Sequence, residues 1–338
     1  MKDVYILGIE SSCDETSISI VKNGCEEIAT TVFTQMDTHA EFGGVVPEIA
    51  SRMHTESFTL VLEDLLKKSN MNVSDVDAIA VTYAPGLLGS LLVGIEFAKT
   101  LSLVYNKPLI AVHHIAGHIF ANNLVKKIEY PTLALVVSGG HTELVKMTSD
   151  YDFEVIGTTL DDAIGECFDK VARVLDLKYP GGPNIEKYAE LGKNNYKLPI
   201  PMDNNELNFS YSGLKSAVIN LVHNERQRGN EINKEDLASS FQTIAVDEII
   251  RKTELAIKET GIKRLIVAGG VSANKYLRKE LETLSNKLNL DLSIPPLKYC
   301  TDNATMIACA AYPQYLKQDF TNFELNGKSQ EYFFQKKD

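Results

Sequence analysis

The strongest constraint on the fold is a pattern that occurs twice in the chain: a strand hairpin followed by alternating helices and strands. In the first copy, apolar runs at residues 4–9 and 17–21 predict two strands joined by a turn of small polar and acidic residues. In the second copy, residues 133–138 and 143–147 predict two strands around the pair Gly139-Gly140. The alternation that follows each hairpin is typical of an α/β fold. Because the pattern repeats, we expect two related lobes facing a cleft.

The boundary between the lobes is expected near residues 129–132, and a chain of 338 residues is long enough for two domains. A single mixed sheet is the alternative, because similar layout alone is weak evidence of a repeat. Apolar periodicity predicts further strands at 78–82, 109–112 and 265–268, and helices at 47–66, 91–105, 113–124, 162–175, 213–224, 235–259, from about 273 onward, and at 304–315. Residues 180–183 and 198–212 are expected to be irregular, and such segments often carry function.

Composition and charge indicate a soluble globular protein, with 44% hydrophobic and 23% charged residues. The net charge of −11 argues against a general nucleic-acid coat, because phosphate contacts need clustered Lys and Arg. A local basic patch is still compatible with this charge. Residues 263–264 and 275–279 are its candidates, although an ordinary solvated face explains each of them as well.

The cysteines and the apolar segments indicate the cytoplasm. Five cysteines without a C-x-x-C pair are typical of a reducing compartment. The N-terminus does not resemble a signal peptide, since Glu10 interrupts the apolar run at residues 4–9. Residues 87–98 are apolar but broken by glycines, a serine and Glu96, so we expect no membrane span there.

Two histidines four residues apart, His114 and His118, are the sharpest chemical signal. This spacing puts both imidazoles on one face of a helix, where one metal ion can bind both. A polar surface pair without a ligand is the alternative. The zinc-protease pattern needs a Glu directly after the first His, and Ile115 stands there instead. A third ligand must come from elsewhere. Asp302 is a candidate, and its alternative role is to cap the helix predicted after it.

Two glycine-rich turns follow strand ends, at residues 136–142 and 267–274. Glycines let backbone N–H groups approach phosphate oxygens closely, and a helix N-terminus offers free N–H groups to an anion. Neither turn matches the dinucleotide fingerprint or the Walker loop, and a plain hairpin turn is the alternative for the first. We expect the two turns on opposite sides of a lobe, forming a nucleotide seat.

Acidic residues supply the remaining candidates. Asp14 and Glu15 lie at the tip of the first predicted hairpin, Asp161-Asp162 precede a predicted helix, and Asp169 lies inside it. Capping of that helix explains Asp161 or Asp162, and a surface pair with Lys170 explains Asp169. A carboxylate facing a cleft can instead bind a ribose hydroxyl or a metal-bound water.

Taken together, these motifs resemble one family, the tRNA threonylcarbamoyladenosine transferases, once labelled O-sialoglycoprotein endopeptidases. The resemblance runs from about Tyr5 to Tyr312, and the length and lack of a fused kinase domain are similar to the bacterial branch. The motifs that carry it are, in order, Glu10-Ser11-Ser12-Cys13-Asp14-Glu15-Thr16, His114 with His118, Ser138-Gly139-Gly140-His141-Thr142, Phe168-Asp169-Lys170, Tyr179-Pro180-Gly181-Gly182, Phe209-Ser210-Tyr211-Ser212-Gly213-Leu214-Lys215, Gly269-Gly270-Val271-Ser272-Ala273-Asn274 and Cys300-Thr301-Asp302-Asn303.

The resemblance implies an actin-like ATPase fold, with two similar ribonuclease H-like lobes around a nucleotide cleft. We therefore expect an N-terminal lobe of residues 1–130, completed by a C-terminal helix at about 304–325, and a C-terminal lobe of residues 131–303. It also implies partners: tRNA, a truncated paralogous subunit that forms a heterodimer with the chain, and a small ATPase subunit.

The reaction implied by the resemblance moves a threonylcarbamoyl group from threonylcarbamoyl-AMP to the exocyclic amine of the adenosine beside the anticodon, in tRNAs that read codons beginning with A. By position, His114, His118 and Asp302 would hold one divalent metal, iron or zinc. Residues Val136, Val137, Ser138, Gly139 and Gly140 would lie beside the carbonyl and phosphate of the donor. The adenosine part would contact Asp169, Gly182, Glu186 and Asn274.

The chemistry needs no covalent nucleophile, because AMP is already a good leaving group, so Cys13 and Ser138 are not nucleophile candidates. Asp14 or Glu15 could take the proton from the attacking amine. The rival hypotheses are a small-molecule kinase of the same fold, a metalloprotease and a non-catalytic, chaperone-like ATPase. A kinase or a nucleotide-driven switch has no use for the histidine pair, and a metalloprotease would need the missing Glu.

Overall fold

The computed structural model describes residues 2–202 and 204–331, and these form two compact units. Unit 1 contains the described residues of 1–128 and 295–338, and unit 2 contains those of 129–294. Each unit has its own five-stranded sheet, so the alternative of a single mixed sheet is wrong.

The sheet of unit 1 is built from a three-stranded antiparallel meander and two parallel strands. Its strands are β1 (Tyr5–Glu10), β2 (Glu15–Lys22), β3 (Glu26–Thr34), β4 (Ala78–Ala84) and β5 (Leu109–His113). They are ordered β3-β2-β1-β4-β5, with β4 and β5 parallel to β1. The predicted two-stranded hairpin missed β3. This strand lies at the sheet edge and is largely solvent-facing at its end, so its sequence lacks a continuous apolar face.

Helices cover both faces of this sheet. They are α1 (Met36–Glu41), α2 (Pro47–Ser69), α3 (Leu88–Tyr105), α4 (His114–Phe120) and, from the second segment of the unit, α10 (Ala304–Leu316). The apolar sides of α2 and α3 pack on β1, β2 and β4 in one hydrophobic core. Among the described helices, α3 alone is long and apolar enough to cross a membrane by length and composition. Its buried side, which includes Leu91 and Ile95, belongs to that core, as in a core helix of a globular domain.

Helix α10 packs on β1 and β2, and Gly8 allows its close approach. A Cβ at Gly8 would lie 2.4 Å from the carbonyl oxygen of Ala304, so a side chain there would push the helix away. This contact sets the first turn of α10 on β1. It therefore brings Asp302, two residues ahead of the helix, toward the end of β1 where Glu10 lies.

The sheet of unit 2 repeats the topology of the first. Its strands are β6 (Thr132–Val137), β7 (Thr142–Ser149), β8 (Asp152–Thr158), β9 (Arg264–Ala268) and β10 (Asp291–Ser293). In the order β8-β7-β6-β9-β10, the first three strands are antiparallel and the last two run parallel to β6, as β3-β2-β1-β4-β5 do in unit 1. The predicted repeat is therefore present as two copies of one sheet topology. The edge strands β8 and β10 were not predicted.

The described residues of unit 2 form five helices: α5 (Ile164–Val174), α6 (Gly181–Ala189), α7 (Ser212–Gln227), α8 (Lys234–Thr260) and α9 (Lys275–Leu288). The prediction that residues 180–183 are irregular is wrong, because α6 begins at Gly181. Glycine and proline are poor helix formers in a helix interior, but the first N–H groups of a helix have no partner within it and proline is tolerated there. The carboxylate of Asp169 accepts the N–H of Gly181 and stabilises this start.

Candidate metal centre and nucleotide-binding edge

Three potential metal ligands converge in unit 1. His114 and His118 project from α4, and Asp302 comes from the loop ahead of α10. The Oδ1 atom of Asp302 lies 3.4 Å from Nε2 of His114 and 3.1 Å from Nε2 of His118. One donor atom from each residue lies within 4.8 Å of the others. Two imidazole nitrogens and one carboxylate oxygen at this separation are a donor set that zinc and iron both accept.

Glu10 orients His114 from behind. Its Oε2 lies 3.2 Å from Nδ1 of His114 and accepts a hydrogen bond of 2.6 Å from Thr82 Oγ1, while its Oε1 accepts one of 2.6 Å from the N–H of Ser12. A carboxylate on one ring nitrogen of a metal-binding histidine fixes the ring and directs the other nitrogen outward. The motif containing Glu10 was noted in the sequence, but this role was missed because the pairing joins residues far apart in the chain.

The carboxylates of the cluster favour the protonated form of His114. Burial lowers the pKa of this imidazole, but the carboxylates of Asp302 and Glu10 outweigh it and raise the pKa well above its usual value. Burial likewise raises the pKa of Asp302, yet the two histidines lower it more strongly, and the pKa of Glu10 is lowered mainly by His114. The ring of His114 thus lies between two carboxylates, with Nδ1 facing Glu10 and Nε2 facing Asp302.

His118 presents the second imidazole of the cluster. Its side chain is buried, and its Nε2 faces the carboxylate that it shares with His114. Its other ring nitrogen, Nδ1, has no hydrogen-bond partner among the described residues. The residues present therefore fit a divalent cation held by His114, His118 and Asp302.

The alternative role of Asp302 as a helix cap is wrong. The N-cap of α10 is Asn303, whose side-chain oxygen accepts a 3.0 Å hydrogen bond from the N–H of Met306. Asp302 is left to face the two histidines, so the contributions of the cap and of the metal ligand can be separated by mutation.

Asp14 lies in the turn between β1 and β2, and Glu15 is the first residue of β2. Burial and the neighbouring carboxylates of Asp302 and Asp14 raise the pKa of Glu15 to about 10. Burial also raises the pKa of the Cys13 thiol well above its usual value, and Asp14 adds to this. A raised pKa favours the neutral thiol of Cys13 over the nucleophilic thiolate.

The two glycine-rich turns of unit 2 lie side by side, not on opposite sides of the lobe as expected. They follow β6 and β9, which are parallel neighbours with Val136 opposite Ala268. Gly269 has a φ of 93°, and a Cβ there would lie 2.4 Å from the carbonyl oxygen of Val137. The predicted placement on opposite sides was wrong because β6 and β9 are neighbours in the sheet although they are far apart in the chain.

The first turn presents backbone groups toward open space. Val136 and Val137 are fully buried, whereas Gly139 and Gly140 are exposed and a Cβ on either would meet nothing within 4 Å. The N–H of Gly165, at the start of α5, donates to the carbonyl oxygen of Ser138. This contact places a helix N-terminus directly against the turn.

The other predicted nucleotide-binding residues lie in hydrogen bonds that connect α5, α6 and α9. Asp169 of α5 accepts a 2.7 Å hydrogen bond from the N–H of Gly181, and burial raises its pKa although the N–H groups of Gly181 and Gly182 oppose this. Glu186 of α6 accepts a 2.5 Å bond from the N–H of Lys275, the first residue of α9. Helix α9 directly follows the second glycine-rich turn, so these bonds connect α5 and α6 to that turn.

Asn274 completes this edge of unit 2 as the N-cap of α9. Its side-chain oxygen accepts a 2.9 Å hydrogen bond from the N–H of Leu277, and its amide donates to Gln242. Gly182 has open space where a side chain would be. The structure thus brings Val136–Gly140, Asp169, Gly182, Glu186 and Asn274 to one edge of unit 2, although Asp169, Glu186 and Asn274 each also stabilise the start of a helix.

Asp161 and Asp162 do not cap the helix that follows them, since α5 has Ala163 as its N-cap without a side-chain bond. Instead the carboxylate of Asp161 accepts the N–H groups of Tyr211 and Ser212 at the start of α7, and Asp162 pairs with Lys170 and Lys215. These contacts tie the motif around Tyr211 to the loop ahead of α5. Lys170 therefore pairs with Asp162 and Glu166, not with Asp169.

Comparison with known proteins identifies the family. Residues 26–309 match the family model described as tRNA N6-adenosine threonylcarbamoyltransferase. Curated proteins of that name from Bacillus subtilis (strain 168) and Staphylococcus haemolyticus (strain JCSC1435) are 55% and 52% identical over 329 residues, which is 97% of this chain and 95% and 96% of theirs.

Solved structures with the same fold are much more distant in sequence. The chain is similar to component A of (R)-2-hydroxyglutaryl-CoA dehydratase from Acidaminococcus fermentans, with a TM-score of 0.54, 16% identity and coverage of 93% and 99% of the two chains. It is also similar to HypF of T. kodakarensis, with a TM-score of 0.59, 14% identity and coverage of 95% of this chain and 49% of that chain. The comparison confirms the predicted α/β fold of the actin-like ATPase type.

Proposed function

This chain belongs to the tRNA N6-adenosine threonylcarbamoyltransferase family and carries out threonylcarbamoylation of adenosine in tRNA, and from that premise we propose how its residues do so. The donor is threonylcarbamoyl-AMP, and the acceptor is the exocyclic amine of the adenosine beside the anticodon in tRNAs reading codons that begin with A. The amine nitrogen forms a bond to the carbamoyl carbon, the bond from that carbon to the phosphate oxygen of AMP breaks, and the amine loses one proton.

His114, His118 and Asp302 hold one divalent cation, iron or zinc. The observation that carries this assignment is the approach of their three donor atoms within 4.8 Å of one another. When bound, such an ion supplies a Lewis acid that polarises the carbamoyl carbonyl and stabilises charge developing on it. Glu10 keeps the ring of His114 in position, and Thr82 and the N–H of Ser12 keep Glu10 in position.

The proton of the attacking amine passes to a carboxylate of the turn after β1. Asp14 and Glu15 are the two candidates for this acceptor. No covalent nucleophile takes part, and the neutral thiol of Cys13 agrees with this.

The donor's AMP part binds at the edge of unit 2. The exposed turn at Gly139 and Gly140 offers backbone groups to the phosphate and carbonyl without a side chain in the way. Val136, Val137 and Ser138 support that turn through their backbone. The adenosine part contacts Asp169, Gly182, Glu186 and Asn274, whose carboxylates and amide suit ribose hydroxyls and base edges.

Partners complete the activity. The chain has a net charge of −11, so basic surface on a partner protein would help it to bind polyanionic tRNA. A truncated paralogous subunit that forms a heterodimer with the chain and a small ATPase subunit are the proposed partners, in the cytoplasm. Kinase and chaperone-like functions of the same fold are disfavoured, because neither uses the cluster of two histidines and an aspartate, and the curated relatives carry a transferase name.

The proposal is tested with purified chain, its partner proteins, threonylcarbamoyl-AMP and unmodified tRNA, with the modified nucleoside measured by mass spectrometry. The variant with both His114→Ala and His118→Ala should lose its metal by elemental analysis and lose transfer, because one carboxylate does not retain a borderline metal. His223→Ala, at an exposed histidine of α7, is the matched control and should keep both. Equal metal content in the double variant would overturn the metal site, and full transfer by it would overturn the metal's role.

A further inference from the structure

The segment after β1 carries both candidates for the proton acceptor and also touches the metal cluster. We call residues 12–16 the acidic turn. Asp14 lies within it, and Glu15 begins β2. At its start, the hydroxyl oxygen of Ser12 lies 3.2 Å from Nδ1 of His114. The conformation of this short segment therefore sets where its carboxylates lie relative to the metal cluster.

Three consecutive carbonyl oxygens fix the backbone of the acidic turn, on residues 12, 13 and 14. Backbone N–H groups bond the outer two: Leu87 donates to the first at 2.8 Å, and Gln35 donates to the third at 3.0 Å. The middle oxygen, on Cys13, lies 2.9 Å from Nε2 of His54. Because a side chain holds the middle carbonyl, this bond can be removed by substitution while the two backbone bonds remain.

His54 lies on α2 with its side chain fully buried, and both of its ring nitrogens contact the acidic turn. A carbonyl oxygen can only accept, so Nε2 donates to Cys13. Nδ1 lies 2.7 Å from the hydroxyl oxygen of Thr16. Burial lowers the pKa of the imidazole, which favours the neutral ring, so Nδ1 accepts the hydroxyl hydrogen. His54 thus bridges the two residues that flank Asp14 and Glu15.

The contacts around His54 leave its ring little freedom. The ring of Phe58, one turn later on α2, belongs to the core of unit 1, and the two ring centroids are 6.1 Å apart. The hydroxyl oxygen of Ser57 lies 2.9 Å from that of Thr16 and 2.7 Å from the carbonyl oxygen of Met53. A buried polar network with its groups paired favours one arrangement, because any other leaves a buried group unpaired.

We propose that His54 is a positioning residue for threonylcarbamoyl transfer, which holds the acidic turn so that its carboxylates face the attacking amine. The inference rests on the proposed function, which places the proton acceptor in this turn. His54 acts through the backbone of Cys13 and the hydroxyl of Thr16. Its loss should therefore slow the chemical step more than it weakens binding of the metal, the donor or tRNA.

The test compares substitutions of His54 in transfer assays with the full chain, its partner proteins, threonylcarbamoyl-AMP and unmodified tRNA. His54→Phe keeps a planar ring but removes both bonds. It should lower kcat about a hundredfold, the scale of a displacement of about 1 Å, with KM near the native value. His54→Gln keeps one donor and one acceptor in its amide and should restore most of the rate. Ser57→Ala removes a buried hydroxyl from the same helix and is the matched control, which should transfer as the native chain does.

Two further measurements separate a displaced turn from poor folding. Co²⁺ titration counts the molecules with an intact metal site, and its stoichiometry and affinity should be native in all three variants. Amide hydrogen exchange at Gln35, whose N–H donates to the carbonyl oxygen of Asp14, reports on the turn without substrate. This exchange should accelerate in His54→Phe but not in His54→Gln or Ser57→Ala.

Thr16→Val gives a second route to the same bond, and it carries the test where His54→Phe does not fold. Valine has nearly the shape of threonine but donates nothing to Nδ1 of His54. It should lower kcat about tenfold, which corresponds to one lost hydrogen bond. In the His54→Phe background it should cause no further loss, because interacting groups are non-additive.

Native kcat in His54→Phe, or in Thr16→Val where His54→Phe does not fold, would overturn the inference. So would a His54→Gln variant as slow as His54→Phe. Absence of transfer by the native chain would overturn the proposed function instead. Exchange at Gln35 would then still decide whether His54 holds the acidic turn, and unchanged exchange in His54→Phe would show that it does not.

Discussion

The carboxylate of Glu10 and the ring of His114 form a buried pair, with Oε2 of the glutamate 3.2 Å from Nδ1 of the histidine. The pair joins the end of β1 to the start of α4, 104 residues further along the chain. It holds the imidazole so that its other nitrogen faces Asp302 and His118. The position of the metal-binding ring therefore depends on the first strand of the sheet as much as on the helix that carries it.

Glu10→Gln should weaken metal binding with little loss of fold. The amide has nearly the same shape but carries no charge to orient and polarise the His114 ring, and loss of such support costs roughly tenfold in metal affinity. Co²⁺ titration and a thermal melt on the same sample would measure both effects. Native affinity in this variant would show that the pair is structural only.

Asp302→Ala should abolish transfer while leaving the melting temperature nearly unchanged. Asn303→Ala should do the reverse, because Asn303 is the cap of α10 and loss of a cap costs about 1 kcal/mol of stability. Loss of a metal ligand removes transition-state stabilisation of several kcal/mol, which is orders of magnitude in rate. Nucleoside mass spectrometry and calorimetry on the two variants test this, and equal activities would remove Asp302 from the metal site.

Metal affinity should rise with pH through the neutral range. Burial lowers the pKa of His114, but the carboxylates of Asp302 and Glu10 have the larger effect and raise it well above its usual value. A proton on the imidazole therefore competes with the metal near neutral pH. Co²⁺ titrations between about pH 6 and about pH 8 should show tighter binding at the higher pH and proton release on binding. Affinity independent of pH across this range would contradict a protonated His114 in the metal-free site.

Gly140→Val should weaken binding of an adenine nucleotide without unfolding the protein. A side chain at this exposed glycine meets open space in the structure, so the fold tolerates it, yet it occupies the approach to the backbone of the turn. Calorimetric titration with AMP and a thermal melt are the measurements. Unchanged affinity for AMP would indicate that the two glycines form only a turn.

Glu143→Gln should stabilise the protein at high pH but not at low pH. Burial raises the pKa of Glu143 from 4.5 to about 7, and its Oε2 is buried without a hydrogen-bond partner among the described residues. The folded protein disfavours ionisation of Glu143. The free energy of unfolding therefore falls as the pH rises from the pKa of Glu143 in the unfolded chain to its higher pKa in the folded protein. Melting temperatures at about pH 5 and about pH 8 should differ between variant and native chain only at the higher value.

Much of the fold follows from local patterns in the sequence. The alternating apolar runs of β1 and β6 and the periodic faces of α2, α3 and α8 predict their own elements, because burial on one face of a strand or helix imposes a period on the residues. The repeat of the hairpin was visible for the same reason. The edge strands β3, β8 and β10 were missed, since an edge strand needs no continuous apolar face.

The candidate sites were likewise only partly predictable from local sequence patterns. The spacing of His114 and His118 determines by itself that they share a helix face, because the geometry of one helical turn is local. Only the tertiary structure decided that Glu10 lies behind His114, that Asp302 rather than Asn303 faces the histidines, and that the glycine turns after β6 and β9 are neighbours. Those relationships join residues that are distant in the chain. They are set by sheet order and by the packing of α10 on Gly8, which no local pattern of residues specifies.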